Sequence, residues 1–114
     1  KSRIDFYLEL NSGDKCLLEV KNVTLFDDKY AMFPDAVTSR GAKHLEHLIE
    51  SFAEGYRPYI LYVIQVNRKN FRCASQIDKI YCEKMNEAKK AGVKILKYRN
   101  IFDPDAGTCR LIPY

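Results

Sequence analysis

Asp5, Glu19 and Lys21 are the residues whose types and spacing suit chemistry. Two carboxylates from neighbouring strands, with a strand carbonyl such as that of Val20 between Glu19 and Lys21, make an all-oxygen donor set. Hard divalent cations such as Mg²⁺ or Mn²⁺ take such ligands and keep several waters. A lysine beside the cation can hold an attacking water or steady developing negative charge. The chemistry implied is metal-assisted hydrolysis of a phosphodiester. One cation would activate the water, and a second would stabilise the leaving oxygen.

That constellation depends on a hairpin. Residues 3–10 alternate with period two: Ile4, Phe6, Leu8 and Leu10 take one face, and Arg3, Asp5, Tyr7 and Glu9 take the other. Asn11-Ser12-Gly13-Asp14 is turn chemistry, and a second strand runs from Lys15 to about Val23. If Leu10 faces Asp14, paired numbers sum to 24. Asp5 then lies opposite Glu19, and Arg3 opposite Lys21. Directly opposed like charges destabilise a sheet unless something sits between them. A one-residue slip would set Asp5 against core residues, so the polarity supports the even sum. A salt-bridge ladder, Asp5 with Lys21 and Arg3 with Glu19, explains the same residues without metal. Glu-x-Lys is a short pattern, and Glu87-Ala88-Lys89 repeats it on a helix, where positions i and i+2 do not face each other.

Downstream, residues 24–33 read as a second hairpin around Asp27-Asp28-Lys29. Pro34 disfavours helix at Phe33, and Asp35 reads as the N-cap of a helix running to about Glu54, stopped by Gly55. Asp35 is also a candidate metal or water ligand. Pro58 to Val66 is a buried strand. Ser75 opens a second helix, with Asp78 in capping-box position and Gly92 at its end. Val93 to Arg99 is a further strand, and a turn-rich tail closes with a short edge strand. The order β-β-β-α-β-α-β predicts a single domain over 1–114: a three-layer α/β sandwich with a mixed sheet.

Composition bounds the rest. The 114 residues carry a formal charge of +4, with 46% hydrophobic and 30% charged residues, which excludes intrinsic disorder. No apolar run nears the roughly 18 residues that span a bilayer, and the start shows no signal-peptide pattern. The beginning at Lys1, without Met, reads as a piece of something longer. Cys16, Cys73, Cys82 and Cys109 show no C-x-x-C spacing. They read as free thiols in a reducing, cytoplasmic compartment, with Cys16 and Cys82 as small core residues.

Several polar residues are candidates for contact with nucleic acid. Arg40, Lys43 and His44 open the first helix and suit phosphate, helped by the helix N-terminus. His47 shares a face with His44 and reads as solvated surface. Gln65 interrupts an apolar strand, so it belongs to the site or bonds to backbone. Arg68, Lys69 and Arg72 make a basic loop that either touches a nucleic-acid backbone or is simply exposed.

Asp5 followed by Glu19-Val20-Lys21 and then a helix resembles the PD-(D/E)XK nuclease superfamily. The sequence is more closely similar to the sugar fermentation stimulation protein (SfsA) family. The resemblance is carried by Ser2-Arg3-Ile4-Asp5-Phe6, Glu19-Val20-Lys21-Asn22-Val23-Thr24-Leu25, Phe33-Pro34-Asp35-Ala36-Val37-Thr38, Arg40-Gly41, Lys43-His44-Leu45, Gln65 and Gln76-Ile77-Asp78. It implies a restriction-endonuclease-like core, with Asp5 and Glu19 as metal carboxylates and Lys21 as the catalytic lysine. It further implies an upstream OB-type domain against which this one packs, and an upstream core helix that often adds a Glu. DNA would be the partner, bound without sequence specificity and with no membrane involved. The rival expectation is a non-catalytic DNA-binding module of a regulator of sugar (maltose) metabolism; a third is a structural core domain.

Overall fold

A computed structural model describes residues 3–114; Ser2, the first residue of the resemblance, lies outside the described residues. Among these, eight strands and two helices follow the order β1 (Phe6–Glu9), β2 (Lys15–Val23), β3 (Leu25–Phe26), β4 (Tyr30–Phe33), α1 (Ser39–Glu50), β5 (Tyr56–Ile64), β6 (Asn70–Cys73), α2 (Lys79–Ala91), β7 (Lys94–Asp103) and β8 (Thr108–Pro113). The main sheet is mixed, in the order β1-β2-β5-β7-β8, with β2, β5 and β7 parallel to one another and antiparallel strands at each edge. A smaller sheet, β3-β4-β6, is not hydrogen-bonded to the main sheet but packs on the same core through Ala31, Phe33 and Phe71.

The β1–β2 register is the one the polarity pattern predicts. Phe6 pairs with Leu18 and Tyr7 with Leu17, so Asp5 is level with Glu19. The burial of β1 differs from the expectation. Phe6 is 50% exposed, and Leu8 and Leu10 are also exposed, whereas Ile4 is buried in the core. The chain bends at Asp5, and the strand begins only at Phe6. The bend sends Ile4 inward, to the face opposite the one that strict alternation assigns.

Both helices pack on the same face of the main sheet. Leu45 and Leu48 of α1 and Tyr81, Cys82 and Ala88 of α2 join Leu17, Val23, Ile60, Tyr62 and Ile64 in one core. The other face presents half-buried Leu18, Val20, Tyr59, Leu61, Leu96 and Tyr98. The described residues therefore form a curled mixed sheet covered on one side, rather than three layers. The reason is handedness. From β2 to β5 to β7 the chain steps in one direction, and right-handed crossovers that step the same way lay their helices on the same side.

Helix ends correct the sequence reading. Thr38, not Asp35, caps α1, its hydroxyl accepting from Gly41 N–H at 2.9 Å; Asp35 is exposed in the preceding loop. Asp78 is itself the N-cap of α2 and accepts from Tyr81 N–H at 3.0 Å. Its other oxygen accepts Thr38 N–H at 2.8 Å, so one buried carboxylate ties both helix starts together. Gly41 is required where the helices meet, because a Cβ there would stand 2.9 Å from Thr38 Cγ2 and 3.1 Å from Tyr81 Cε1. Arg72 lies on β6 rather than in a loop, and β8 is a full edge strand of six residues. Cys73 and Cys82 form a disulfide between β6 and α2, which corrects the expectation of free thiols. Cys16 and Cys109 are free.

Candidate functional site

Glu19 sits mid-strand on β2, on the face that meets α1. It is 1% exposed, and an ionised carboxylate at that depth needs compensating partners. Lys21, on the same face of the same strand, places Nζ 2.8 Å from Glu19 Oε2. His44, near the start of α1, brings Nδ1 against the same oxygen. Lys21 Nζ and His44 Nδ1 are 3.1 Å apart, so the three groups close a triangle. Glu19 Oε1 turns the other way and accepts Asp5 N–H at 3.1 Å. Lys21 thus pairs with Glu19 itself, and not with Asp5 as the ladder alternative requires.

The bend at Asp5 completes the cluster. Asp5 Oδ2 accepts Val20 N–H at 2.9 Å, at the point where β1 has ceased to pair with β2. The N–H and C=O of one strand residue point toward the same edge. The Val20 carbonyl therefore points toward Asp5 as well. The Asp5 carboxylate, the Val20 carbonyl and Glu19 Oε1, which reaches the Asp5 N–H, thus lie at the frayed end of the hairpin. Among the described residues no group of three or more His, Cys, Asp and Glu side chains is arranged to hold a metal ion. The donor set is instead two carboxylates plus backbone: Glu19 Oε1 and Asp5 Oδ2 each accept one hydrogen bond and keep a further lone pair. That set fits Mg²⁺ or Mn²⁺, which retain water in the remaining positions.

Electrostatics follow burial. His44 is 5% exposed, and its pKa is lowered: desolvation dominates over the opposing attraction of Glu19, while Lys21 and Arg40 push the same way as burial. Beneath the cluster, Tyr62 of β5 and Tyr81 of α2 share a buried hydroxyl–hydroxyl contact of 2.5 Å. Burial raises both phenol pKa values, and the Glu19 charge adds to the rise.

A cleft of about 530 Å³ opens along the outer side of α1, lined by Arg3, Arg40, Lys43, His44 and His47 among others. His47 is buried there, which corrects its reading as solvated surface. Of the remaining candidates, Gln65 lies just past the end of β5, on the side of the sheet away from Glu19. Its amide donates to Asn22 Oδ1 at 3.1 Å and accepts from Asn100 Nδ2 at 2.9 Å. Arg68 donates to the Asp27 carbonyl at 2.7 Å and lies over the Phe26 ring, pinning the small sheet. Lys69 is exposed beside it. The structure therefore gathers Asp5, Glu19, Val20, Lys21 and His44, with Arg40 and Lys43 along the adjoining cleft. Gln65, Arg68 and Lys69 stand elsewhere.

The family model described as "Sugar fermentation stimulation protein RE domain" matches residues 1–106. The chain belongs to the sugar fermentation stimulation protein family, SfsA. A curated SfsA homologue from Pelagibacter ubique (strain HTCC1062) is 50% identical over 101 residues, covering 87% of this chain and 43% of that protein. A solved structure, "The structure of Pyrococcus Furiosus SfsA in complex with Ca2+", superposes with a TM-score of 0.89 at 28% identity, over 99% of this chain and 48% of that one. The chain thus spans less than half the length of these SfsA relatives.

Within the SfsA cluster, sequence reasoning missed the partnership of His44 with Glu19. The signal was faint but present: Lys43-His44-Leu45 sets a polar ring beside the core residue Leu45, near the inward face of the helix. The Tyr62–Tyr81 contact carried no signal, since each tyrosine reads as an ordinary core aromatic.

Proposed function

We propose that this chain is the nuclease-like half of an SfsA protein. In this reading it binds a divalent cation through Asp5, Glu19 and the Val20 carbonyl and hydrolyses DNA phosphodiesters. The observation that carries the reading is the near-complete burial of Glu19 beside Asp5 and Lys21 at the frayed end of one hairpin. A sheet needs no such group for packing. The mixed sheet with its site at this hairpin suits the restriction-endonuclease-like core that the resemblance implies. That the Pyrococcus relative was solved in complex with Ca²⁺ adds support for a divalent cation.

A bound Mg²⁺ or Mn²⁺ ion supplies Lewis-acid activation of the phosphodiester. The chain's own residues do the rest. Asp5 and Glu19 hold the site's negative charge on one side of the hairpin. Lys21 presents an ammonium that steadies charge growing on the attacked phosphate. Arg3, Arg40 and Lys43 line the cleft and hold the strand's phosphates by charge. In the full protein, an OB-type neighbour would add its own nucleic-acid contacts.

One observation favours a second reading, a DNA-binding module without catalysis. Glu19 Oε2 is already occupied, by the Lys21 ammonium and by His44 Nδ1. Incubating single-stranded, duplex and branched DNA with the protein in Mg²⁺ or Mn²⁺ separates the two. Cleavage that is lost in Lys21→Ala while DNA affinity persists is the expected result. Salt-sensitive binding with no cleavage in either cation would favour the module.

A further inference from the structure

Sequence alone places His44 with Arg40 and Lys43 as a phosphate contact. Its ring is otherwise engaged. An ionised carboxylate only accepts hydrogen bonds and an ammonium only donates them. Nδ1 touches both groups, and its closer contact, with Glu19 Oε2, assigns the proton to Nδ1. Nε2 is buried with no hydrogen-bond partner among the described residues, so the ring is held through Nδ1.

Glu19 Oε2 thus receives two donors from two elements: Lys21 from its own strand and His44 from α1. Oε1 is left facing Asp5. The two donors are not equivalent. Lys21 is the group that chemistry would draw toward a phosphate, and on its flexible stem that movement loosens its hold on Glu19. His44 sits on a helix whose start is fixed by Thr38 and Asp78.

We propose that His44 is a positioning residue, locking Glu19 Oε2 from α1 so that Oε1 stays turned toward Asp5, whose N–H it accepts, at the end of the hairpin where the Asp5 carboxylate meets Val20. The assignment rests on reading that cluster as a cation site. Partners behind metal-ligating groups typically change affinity by about 10- to 100-fold when removed. Their effect is on geometry, so a side chain that restores one donor in place restores most of it.

The test is calorimetric titration with Mn²⁺ alone, with an NMR readout of the ring. In wild type, two-bond ¹H–¹⁵N correlations of His44 should show the proton on Nδ1. His44→Ala should weaken Mn²⁺ binding at least about tenfold. His44→Asn, whose amide nitrogen falls where Nδ1 lies, should recover most of the affinity. His44→Gln, whose amide falls near Nε2, should not. If His44→Ala does not fold, the Asn and Gln variants carry the comparison. Unchanged affinity in His44→Ala, equal recovery by Gln and Asn, or a proton on Nε2 would each overturn the role of His44 while leaving the cation site standing. A wild type that takes up no Mn²⁺ would overturn the cation site, and this role with it.

Discussion

Glu19 concentrates the energetics at the residue scale. A buried carboxylate held by one ammonium and one imidazole N–H is stable only while the surrounding groups hold the right charge. His44 is the one member of the triangle whose ordinary pKa lies near neutrality, and burial lowers it. With a lowered folded pKa, the unfolded chain takes up the proton first as pH falls below about 6.5. Stability conferred by the neutral ring is therefore complete above that pH and declines below it. Glu19, Lys21 and Arg40 are the charged groups that set the balance. Urea midpoints measured in chelator from pH 8 to pH 5 should fall for wild type below about pH 6.5. His44→Asn, which has no ring to protonate, should show a shallower fall.

At the scale of elements, the shared cap at Asp78 is the most consequential contact outside the site. An ordinary N-cap lost to alanine costs about 1 kcal/mol. Here the same change also strands the Thr38 N–H, and a buried donor left without a partner costs roughly 1–3 kcal/mol more. Asp78→Ala should therefore destabilise by about 2–4 kcal/mol in denaturant unfolding, against about 1 kcal/mol for Thr38→Ala. Much at this scale was legible in the sequence. Alternating polarity in the first two strands gave the hairpin register, because a slip by one residue would have buried Asp5. Gly55 and Gly92 marked the helix ends, and both adopt positive φ. The bend at Asp5 was not legible, since Ile4 continues the alternation perfectly. Nor was β6: Asn70-Phe71-Arg72-Cys73 is too short to show a period and forms by pairing with β4. Asp35 and Thr38 are both good capping types a few residues apart, and only the Asp78 contact, from forty residues further along, favours Thr38. The Cys73–Cys82 disulfide follows from the packing of β6 on α2, which local sequence does not encode.

For the whole molecule, the sense of the crossovers decided what sequence could not. The element order was legible, but the side on which each helix lies depends on the direction of travel across the sheet. One face of the sheet is consequently clothed by α1 and α2, and the other presents a half-buried apolar surface. The site lies at the edge of the clothed side, beside the cleft that Arg3, Arg40 and Lys43 line. The net charge of +4 is modest, so the distribution of basic residues matters more than the total. If these three side chains each neutralise one phosphate, the logarithm of DNA affinity should fall with the logarithm of salt with a slope of roughly −3. Removing Arg40 and Lys43 together should reduce that slope by about 2 units, whereas removing Arg68 and Lys69, which stand apart from the cleft, should change it little.

Catalysis, DNA cleavage and the role of His44 all depend on Asp5 and Glu19 holding a divalent cation, and calorimetric titration with Mg²⁺ and Mn²⁺ reads that directly. The wild-type chain should bind saturably, and binding should be abolished in both Asp5→Ala and Glu19→Ala, each shown to be folded by circular dichroism. Binding of equal strength in those folded variants, or none in wild type, would contradict the cation site.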